Sequence, residues 1–430
     1  MPTQNAVYIG KLSINQYKCF HGNFELNFLN NNSIYQWTVI LGNNGTGKTN
    51  LLKAICAVEP CKIPVPLNEK GEKANDGFAP SSIFTKNKIE NYKSIGVQYY
   101  AGENINSPLS LVKQYNHFNN KIAEQKSFFT LNENSADVAV NPIFANINID
   151  AYGVSRIIEK KGISESTQTI SNSETLFNLN KRLINFEDWL FQLDYASKNG
   201  QKLASQRIEL IKSILLSDLL PDITDFSFKS DNNLNNYIEF YTKEGHFRLQ
   251  DLGYGYQASI SWIFDFCKKM FDRYPNVENP LAQPAILLID EIDLHLHPQW
   301  QRTIIKDLSK IFPQTQFIVT THSPLVIQSI ENINLYVLSQ NKTEGVSIKH
   351  IPEQTFQGWN VEEILETIMN LGSDINSDLY QNLIKSFDIA LDKNDYNEAK
   401  SIYERVLSIL KTDNIRGQIL KMQLESIKND

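Results

Sequence analysis

The feature that most constrains the fold is an eight-residue stretch, GNNGTGKT, at Gly42–Thr49. It matches the pattern G-x-x-x-x-G-K-[ST] in full. The apolar run WTVIL precedes it, and TNLLKAICAV, which has helical periodicity, follows it. A strand, a glycine-rich turn and a helix in this order are typical of a phosphate-binding loop. The sequence therefore predicts an α/β fold built around a nucleotide site.

The residues of this loop have different expected roles. Glycines let successive backbone N–H groups turn toward a phosphate, and the start of the next helix adds a positive dipole. We expect Lys48 to bridge the β- and γ-phosphates of ATP as a catalytic group, and the Thr49 hydroxyl to bind Mg²⁺. The predicted nucleotide contacts are Asn43, Asn44, Gly45, Thr46, Gly47, Lys48, Thr49 and Asn50.

A second apolar run, AILLIDE at 285–291, ends in two adjacent acids. Five apolar residues before two acids favour a buried parallel strand that delivers carboxylates at its end. We expect Asp290 to hold Mg²⁺ and Glu291 to polarise the attacking water. The next apolar run, FIVTTHSP, ends at His322, which we predict to contact the γ-phosphate.

The acids continue into DEIDLHLHP, which also contains metal-ligand residue types. His295 and His297 alternate with leucines, so they share one side of the segment if it is extended. That arrangement could bind zinc, but no third ligand with suitable spacing accompanies them. We therefore interpret the histidines and Pro298 as architectural.

The composition predicts a soluble cytoplasmic protein. A net charge of −7 means that any DNA binding needs a local basic patch. The four cysteines form no CxxC pair, which favours free thiols in a reducing compartment. The N-terminus has neither the basic region nor the apolar region of a signal peptide, and no run of about 18 apolar residues predicts a membrane span.

Several of these segments together resemble the ABC-type ATPases of the RecF, SMC and OLD group. More narrowly, the chain resembles the AAA-labelled ATPases of bacterial anti-phage defence, most of all the ATPase subunits of Septu systems. The pairing of DEIDLHLHP with GWNVEEIL is the most specific part of the resemblance. The segments that carry it are KLSINQYKCFHGNFELNF, the phosphate loop, AYGVSR, DLGYGYQASISW, DEIDLHLHP, THSPLVI, GWNVEEILETIMNLG and DKNDYNEAKSIYERV.

The resemblance implies an ABC-type P-loop ATPase head, with a mixed sheet, flanking helices and an antiparallel β subdomain. It also implies a helical lever insertion and a C-terminal helical module. The expected divisions are 1–155 with the phosphate loop and an irregular insertion near 60–91, 156–245 as the lever, 246–352 as the rest of the head, and 353–430 as a helical docking module.

ATPases of this group dimerise head to head, and a signature loop from one head completes the ATP site of the other. The signature loop here would be Leu252–Gln257, LGYGYQ, where the usual pattern is L-S-x-G-[EQ]. Gly253 replaces the serine, so a hydroxyl for the γ-phosphate is missing. Backbone N–H groups at Gly253 and Gly255 can still bind phosphate. The resemblance further places Asp293 at the dimer interface, and the missing hydroxyl favours slow hydrolysis.

Three basic or amide residues remain open. Lys18 lies where related heads place a basic residue near the nucleotide, although a solvated lysine explains it equally well. The glutamine that links Mg²⁺ to the lever could be Gln98, which follows Lys48 at a plausible spacing in a predicted strand. Arg156, at the end of AYGVSR, competes for that position.

The function implied by the resemblance is a regulatory ATPase that binds ATP and Mg²⁺. It would form a head-to-head homodimer or a larger oligomer and control a separate HNH endonuclease, with DNA as a possible ligand. A RecF-like DNA-repair ATPase is the alternative. An OLD-like ATPase with its own nuclease is disfavoured, because SDIN, LDKND and KTDN, the acidic segments after His322, follow no apolar strand.

Overall fold

The computed structural model describes most of the chain, with gaps at both ends and at several internal segments. The described residues are 6–30, 33–63, 77–80, 94–101, 104–118, 121–131, 134–136, 146–158, 172–233, 235–341, 345–351, 355–370, 377–410 and 415–427. They divide into two compact units, Met1–Gly358 and Trp359–Asp430. No helix among the described residues is long and apolar enough to cross a membrane.

The strands of the described part are listed here in chain order. They are β1 (Val7–Tyr17), β2 (Phe20–Asn27), β3 (Leu29–Asn30), β4 (Ser33–Ile34), β5 (Trp37–Gly42), β6 (Pro60–Ile63), β7 (Gly77–Pro80), β8 (Ser94–Ala101), β9 (Asn104–Phe118), β10 (Lys121–Leu131), β11 (Asn134–Ala136), β12 (Ile149–Tyr152), β13 (Ile223–Ser230), β14 (Asn236–Thr242), β15 (Gly245–Arg248), β16 (Ala285–Ile289), β17 (Thr315–Thr321), β18 (Asn334–Asn341) and β19 (Gly345–Ile351).

The helices of the described part follow the same numbering. They are α1 (Lys48–Ala57), α2 (Glu174–Phe177), α3 (Phe186–Lys198), α4 (Lys202–Leu215), α5 (Tyr254–Arg273), α6 (Pro298–Gln301), α7 (Ile304–Ile311), α8 (Pro324–Gln328), α9 (Val361–Glu363), α10 (Asp378–Asp392), α11 (Tyr396–Ile409) and α12 (Ile415–Ser426). Single 3₁₀ turns occur at Leu249–Asp251 and Pro280–Ala282, and a π-helical turn spans Ile364–Ile368.

The central sheet has the order β12-β16-β17-β5-β18-β19. The first five strands are parallel to their neighbours, and β19 is antiparallel to β18. Every residue of β5, β12, β16 and β17 is buried. Because both faces of these strands are covered, their sequences are continuous apolar runs rather than alternating ones. Their carboxyl ends meet at one edge, and the phosphate loop follows β5 there.

A second sheet, with the order β11-β10-β9-β8-β1-β2, is antiparallel throughout. One core cluster joins the inner face of β1, β2 and β8 to α1 and to the central sheet. Leu51, Leu52 and Ile55 of α1 are fully buried in it. Full burial of such a side chain stabilises a fold by about 1.5–3 kcal/mol. This packing fixes the helix that begins with Lys48.

The region predicted as a helical lever combines helices with a small sheet. Helices α3 and α4 pack on the three-stranded sheet β13-β14-β15 and on α5. The sequence patterns predicted α3, α4, β13 and β14 but not β15. It also assigned no structure to the long antiparallel pair β9 and β10. Within the predicted irregular insertion near 60–91, β6 pairs with β7, and residues 64–76 and 81–91 lie outside the described residues.

Helix α5 is attached to the central sheet by a buried ion pair and a buried hydrogen bond. Arg273 Nη2 lies 2.8 Å from Asp150 Oδ2 in β12. Within α5, Lys269 Nζ lies 2.9 Å from Asp265 Oδ2. The Tyr152 hydroxyl donates to the same Asp265 oxygen at 2.6 Å. Burial raises the pKa of Asp265, but Lys269 and Tyr152 lower it more, so it stays below its ordinary value. The helix that begins at the signature loop is therefore held in one position against β12.

The second unit, Trp359–Asp430, has a core of its own. Helices α10, α11 and α12 bury one cluster of apolar side chains, among them Phe387, Ala399, Ile402 and Val406. The predicted helical module began at 353, a few residues before this unit. The mixed sheet, flanking helices and antiparallel subdomain confirm the predicted fold class.

Candidate nucleotide site

The phosphate loop has the backbone that its glycines require. Gly45 and Gly47 have φ angles of +80° and +93°. At Gly47 a Cβ atom would also lie only 2.5 Å from Cys19 Sγ and 2.9 Å from Phe20 Cζ. An L-residue there would be strained and would collide with β2 and the turn before it. Asn43, Asn44 and Gly45 are exposed, and the Thr46 hydroxyl fastens the loop by donating to the Asn43 carbonyl at 2.8 Å.

Lys48 is buried at the start of α1, with 6% of its surface exposed. Its Nζ donates to the carbonyls of Gly42 at 2.8 Å and Asn43 at 3.2 Å, inside the curve of the loop. Burial lowers the pKa of Lys48, and the carboxylates of Glu291 and Asp290 oppose that effect. A desolvated cation held by two carbonyls is available to a phosphate anion that enters the loop.

Asp290 joins three elements, two through its carboxylate oxygens and one through its backbone N–H. Thr49 of α1 donates to Oδ2 at 2.7 Å, and Thr320 of β17 donates to Oδ1 at 2.7 Å. The backbone N–H of Asp290 donates to the Tyr152 carbonyl of β12 at 2.9 Å. Asp290 is only 3% exposed, so its charge is satisfied by these donors. The structure thus brings together the two predicted Mg²⁺ ligands, Thr49 and Asp290.

Glu291 has a left-handed backbone with φ +50°, which is unusual for a non-glycine residue. Such a conformation costs about 1–2 kcal/mol. Its N–H donates to the Thr320 hydroxyl at 2.7 Å, and Arg156 Nη2 donates to the carbonyls of Asp290 and Glu291 at 2.9 and 2.8 Å. Hydrogen bonds from a charged group contribute about 1.5–3 kcal/mol each, which offsets the strain.

Arg156 therefore acts through the backbone at the end of β16. The sequence had raised it only as a competitor of Gln98, and its buried position is what distinguishes it. Burial lowers the pKa of Arg156 to about 10, while Asp290 and Asp293 oppose that effect. Thr320, which the sequence did not single out, also holds Asp290 and Glu291. In the sequence, only the pair of threonines before His322 pointed to Thr320.

His322 meets Lys48 and Glu291 at the carboxyl end of β17. Its Nε2 lies 2.7 Å from Lys48 Nζ and 3.8 Å from Glu291 Oε1. Burial and the neighbouring Lys48 lower the pKa of His322 below its ordinary value of 6.5, and Glu291 opposes them. The imidazole is therefore neutral at pH 7 and can exchange a hydrogen bond with a phosphate oxygen or a water.

The rest of DEIDLHLHP turns away from the strand. Asp293 accepts a hydrogen bond from the Thr321 hydroxyl at 2.5 Å and is half-buried. His295 and His297 are exposed, and the backbone of His295 has φ +63°, so the segment is not extended there. Among the described residues no group of three or more His, Cys, Asp or Glu side chains is placed to hold a metal ion.

The signature loop packs against this turn. A Cβ atom on Gly255 would lie 2.3 Å from the His295 carbonyl oxygen, and the Tyr254 ring lies edge-on to the His295 ring at 4.6 Å. Gly253 precedes α5 with its surface exposed and φ −55°. A Cβ atom there would meet only Tyr256 Cδ2, at 3.9 Å. Gly253 is thus open to solvent at this helix start, where the first N–H groups of a helix have no partner within the helix.

The two remaining candidates, Lys18 and Gln98, lie in different parts of the structure. Asn50 of α1 accepts a hydrogen bond from Lys18 Nζ at 2.8 Å, so Lys18 does lie beside the phosphate-loop helix. Gln98 lies in the middle of β8, paired with Lys11 of β1, and accepts a hydrogen bond from Tyr100 at 3.4 Å. It lines a polar groove on the outer face of the antiparallel sheet with Ser13 and Glu25. Gln98 lies on the face of β8 opposite to the buried Val97 and Tyr99, so the structure does not bring it together with Thr49 and Asp290, and its assignment to Mg²⁺ stays a prediction.

These residues fit Mg·ATP. The loop has glycines in left-handed conformations, a buried lysine cation within its curve and a hydroxyl-carboxylate pair at Thr49 and Asp290. Hydroxyl and carboxylate oxygens are the ligands that Mg²⁺ prefers, and it keeps several waters. The donor set therefore suits a magnesium nucleotide rather than zinc.

Residues 37–328 match the family model described as "AAA domain, putative AbiEii toxin, Type IV TA system". The match covers more than half of the chain and includes Lys48, Thr49, Asp290, Glu291 and His322. The chain belongs to this family. Its matched region begins at β5 and ends with α8, so it contains the phosphate loop and four of the six strands of the central sheet.

Curated relatives place the chain near defence ATPases. It is 28% identical to the Septu protein PtuA of Bacillus mycoides (strain KBAB4), over 83% of this chain and 44% of that protein. It is 30% identical to PtuA of Bacillus thuringiensis, over 54% of this chain and 57% of that protein. The chain thus spans about half the length of these relatives. A "Retron Vc95 probable ATPase" of Vibrio cholerae serotype O1 biovar El Tor is 23% identical over 70% of this chain and 69% of that one.

Among solved structures, an SMC head bound to the C-terminal winged-helix domain of ScpA is similar. It superposes with a TM-score of 0.47 and 17% identity, over 80% of this chain and 98% of that one. A likeness at this score is too loose to carry an argument, so the fold assignment depends on the sheet order and the phosphate loop.

The pKa of His322 tests this geometry. Lys48→Met removes a neighbouring positive charge and should raise that pKa, whereas Glu291→Gln removes a negative charge and should lower it further. NMR of histidine-labelled protein over pH 4–8, with His322→Gln to assign the signal, measures both shifts. Two shifts of the same sign, or none, would contradict the placement of His322 between these groups.

Proposed function

We propose that this chain is an ATPase that binds Mg·ATP, hydrolyses it slowly and regulates an anti-phage defence complex. One observation carries the proposal: the buried Lys48, the Thr49–Asp290 pair, Glu291 and His322 converge at the carboxyl ends of β5, β16 and β17. The family match and the PtuA relatives support the same class of protein.

In this proposal each side chain has a defined task. Lys48 neutralises the β- and γ-phosphates, and Thr49 and Asp290 hold the metal that the nucleotide brings, which polarises the phosphate oxygens. Glu291 orients the attacking water and accepts its proton. His322, which is neutral, reports the state of the γ-phosphate to β17 through hydrogen bonding.

The signature loop supports slow turnover by two heads that face one another. Its N–H groups at Gly253 and Gly255 lie at the exposed start of α5, next to the turn that contains Asp293. An exposed helix start attracts phosphate through its dipole. Without a serine hydroxyl, the partner head supplies only backbone donors, and the transition state is held less tightly.

The proposed partner is a separate HNH-type DNA endonuclease, as the resemblance to Septu ATPases implies, and DNA is a further proposed ligand. The second unit offers a surface for the endonuclease. Its helices expose apolar side chains that a solvated module does not need. Leu379 of α10 is 54% exposed and Met422 of α12 is 72% exposed.

Lys48→Ala tests nucleotide binding. We expect it to weaken ATP binding at least about a hundredfold, because a charge-assisted contact to two phosphates is lost. Lys53→Ala, later on the same helix and half-buried, is the control and should bind ATP normally. Isothermal titration calorimetry measures both. Equal ATP affinity in Lys48→Ala and the unmodified chain would refute the proposed function.

Gly253→Ser tests the cause of slow turnover. Serine fits without strain, since a Cβ atom has room and φ is −55°. Its hydroxyl should raise steady-state ATP hydrolysis by about tenfold or more. Gly253→Ala adds the same Cβ without the hydroxyl and should leave the rate unchanged. Equal rates in the two variants would mean that the missing hydroxyl does not limit hydrolysis.

Substitutions on the second unit test partner docking. Leu379→Glu with Met422→Glu should abolish co-purification with an HNH endonuclease encoded beside the chain, because charge on an apolar interface is costly to bury. Tyr195→Glu, at a side chain 73% exposed in the first unit, is the control. ATP binding should be unchanged in all variants. Retained co-purification of the double variant would place the docking surface elsewhere.

A further inference from the structure

A cavity of about 630 Å³ lies behind the signature loop, within the first unit. The first turns of α5, the strand β14 and the segments near 156–158 and 182–187 enclose it. A volume of this size falls in the range of small-molecule sites. We call it the arginine cavity, because its lining includes Arg156, Arg182 and Arg248.

The lining of the arginine cavity carries more positive than negative charge. Its single carboxylate is Glu187, which already accepts a hydrogen bond from the Ile238 N–H at 2.9 Å. Arg182 is exposed, and its Nη1 donates to the Ile158 carbonyl at 3.3 Å. Two further cations, Arg156 and Arg248, therefore face a cavity with no free counter-charge among its lining residues.

Arg156 is the most deeply buried of the three arginines. It is 5% exposed, and its Nη2 is fully engaged with the carbonyls of Asp290 and Glu291. Its Nε and Nη1 are buried and have no hydrogen-bond partner. Because these two donors are sealed from solvent, Arg156 acts on the cavity through its charge, which an anion in the cavity would offset.

Aromatic faces accompany the arginines. The Arg248 guanidinium lies 3.8 Å from the centre of the Tyr237 ring, and both side chains line the cavity. Tyr254, also in the lining, is 58% exposed. Flat rings and guanidinium planes are surfaces on which a nucleobase stacks, and arginines are the usual partners of phosphate.

We propose that the arginine cavity is a second nucleotide site, distinct from the phosphate loop, that takes a nucleoside monophosphate. The phosphate pairs with the arginines and the base stacks on the tyrosines. A bare phosphate ion would fill only a small part of the volume, whereas a mononucleotide matches both the volume and the two kinds of lining.

Binding to this site is measured on the full-length Lys48→Ala chain, in which the phosphate loop is disabled. Isothermal titration calorimetry with AMP, GMP, CMP and UMP, and with sodium pyrophosphate, should give one site per chain for at least one nucleotide and weaker binding of pyrophosphate. Adding Arg182→Gln or Arg248→Gln should weaken that binding by about tenfold or more. Arg405→Gln, an exposed arginine of the second unit, should not.

Three results would overturn the proposal: no monophosphate binds the Lys48→Ala chain, binding survives both Arg182→Gln and Arg248→Gln, or pyrophosphate binds as tightly as the nucleotides. Arg182 and Arg248 are surface or half-buried positions, so their variants fold, and circular dichroism checks this. The proposed ATPase function fails separately, if the unmodified chain does not bind ATP.

Discussion

The carboxylate of Asp290 is the point on which the structure of the site depends. One oxygen accepts from Thr49 at the start of α1, and the other accepts from Thr320 at the end of β17. The first bond fixes the helix that carries Lys48, and the second fixes the strand that delivers His322. A buried carboxylate without these donors would be strongly destabilised, so its position is set by the need to satisfy its charge.

Other buried charges around the site are also paired, through Arg156 and through the ion pairs of α5. Arg156 fastens the left-handed turn at Glu291. Arg273 and Asp265 fasten α5 to β12, through Asp150 and the Tyr152 hydroxyl respectively. The start of α5 in turn packs on the turn after Glu291. The phosphate loop and the signature loop are thus connected through hydrogen bonds and paired charges that are costly to separate.

Local patterns predicted the centre of the site well and its periphery poorly. The phosphate loop and the acids after AILLI are each contiguous, so spacing alone identified Lys48, Thr49, Asp290 and Glu291. The place of Gln98 could not be read from spacing, because it depends on which face of β8 the residue occupies, and that follows from pairing with β1. The arginine cavity was not foreseen, since its cations come from three distant segments that only the packing of α5 and β14 brings together.

The central claim is that ATP, held by the Asp290-centred site, brings two heads together through exposed signature loops. Sedimentation velocity of the Glu291→Gln chain, with and without Mg·ATP, tests it most directly, because that variant binds ATP without consuming it. The account predicts that Mg·ATP at least doubles the mass of the sedimenting species, and that adding Lys48→Ala removes the increase. A mass that does not change with Mg·ATP, in a chain shown to bind it, would contradict the account.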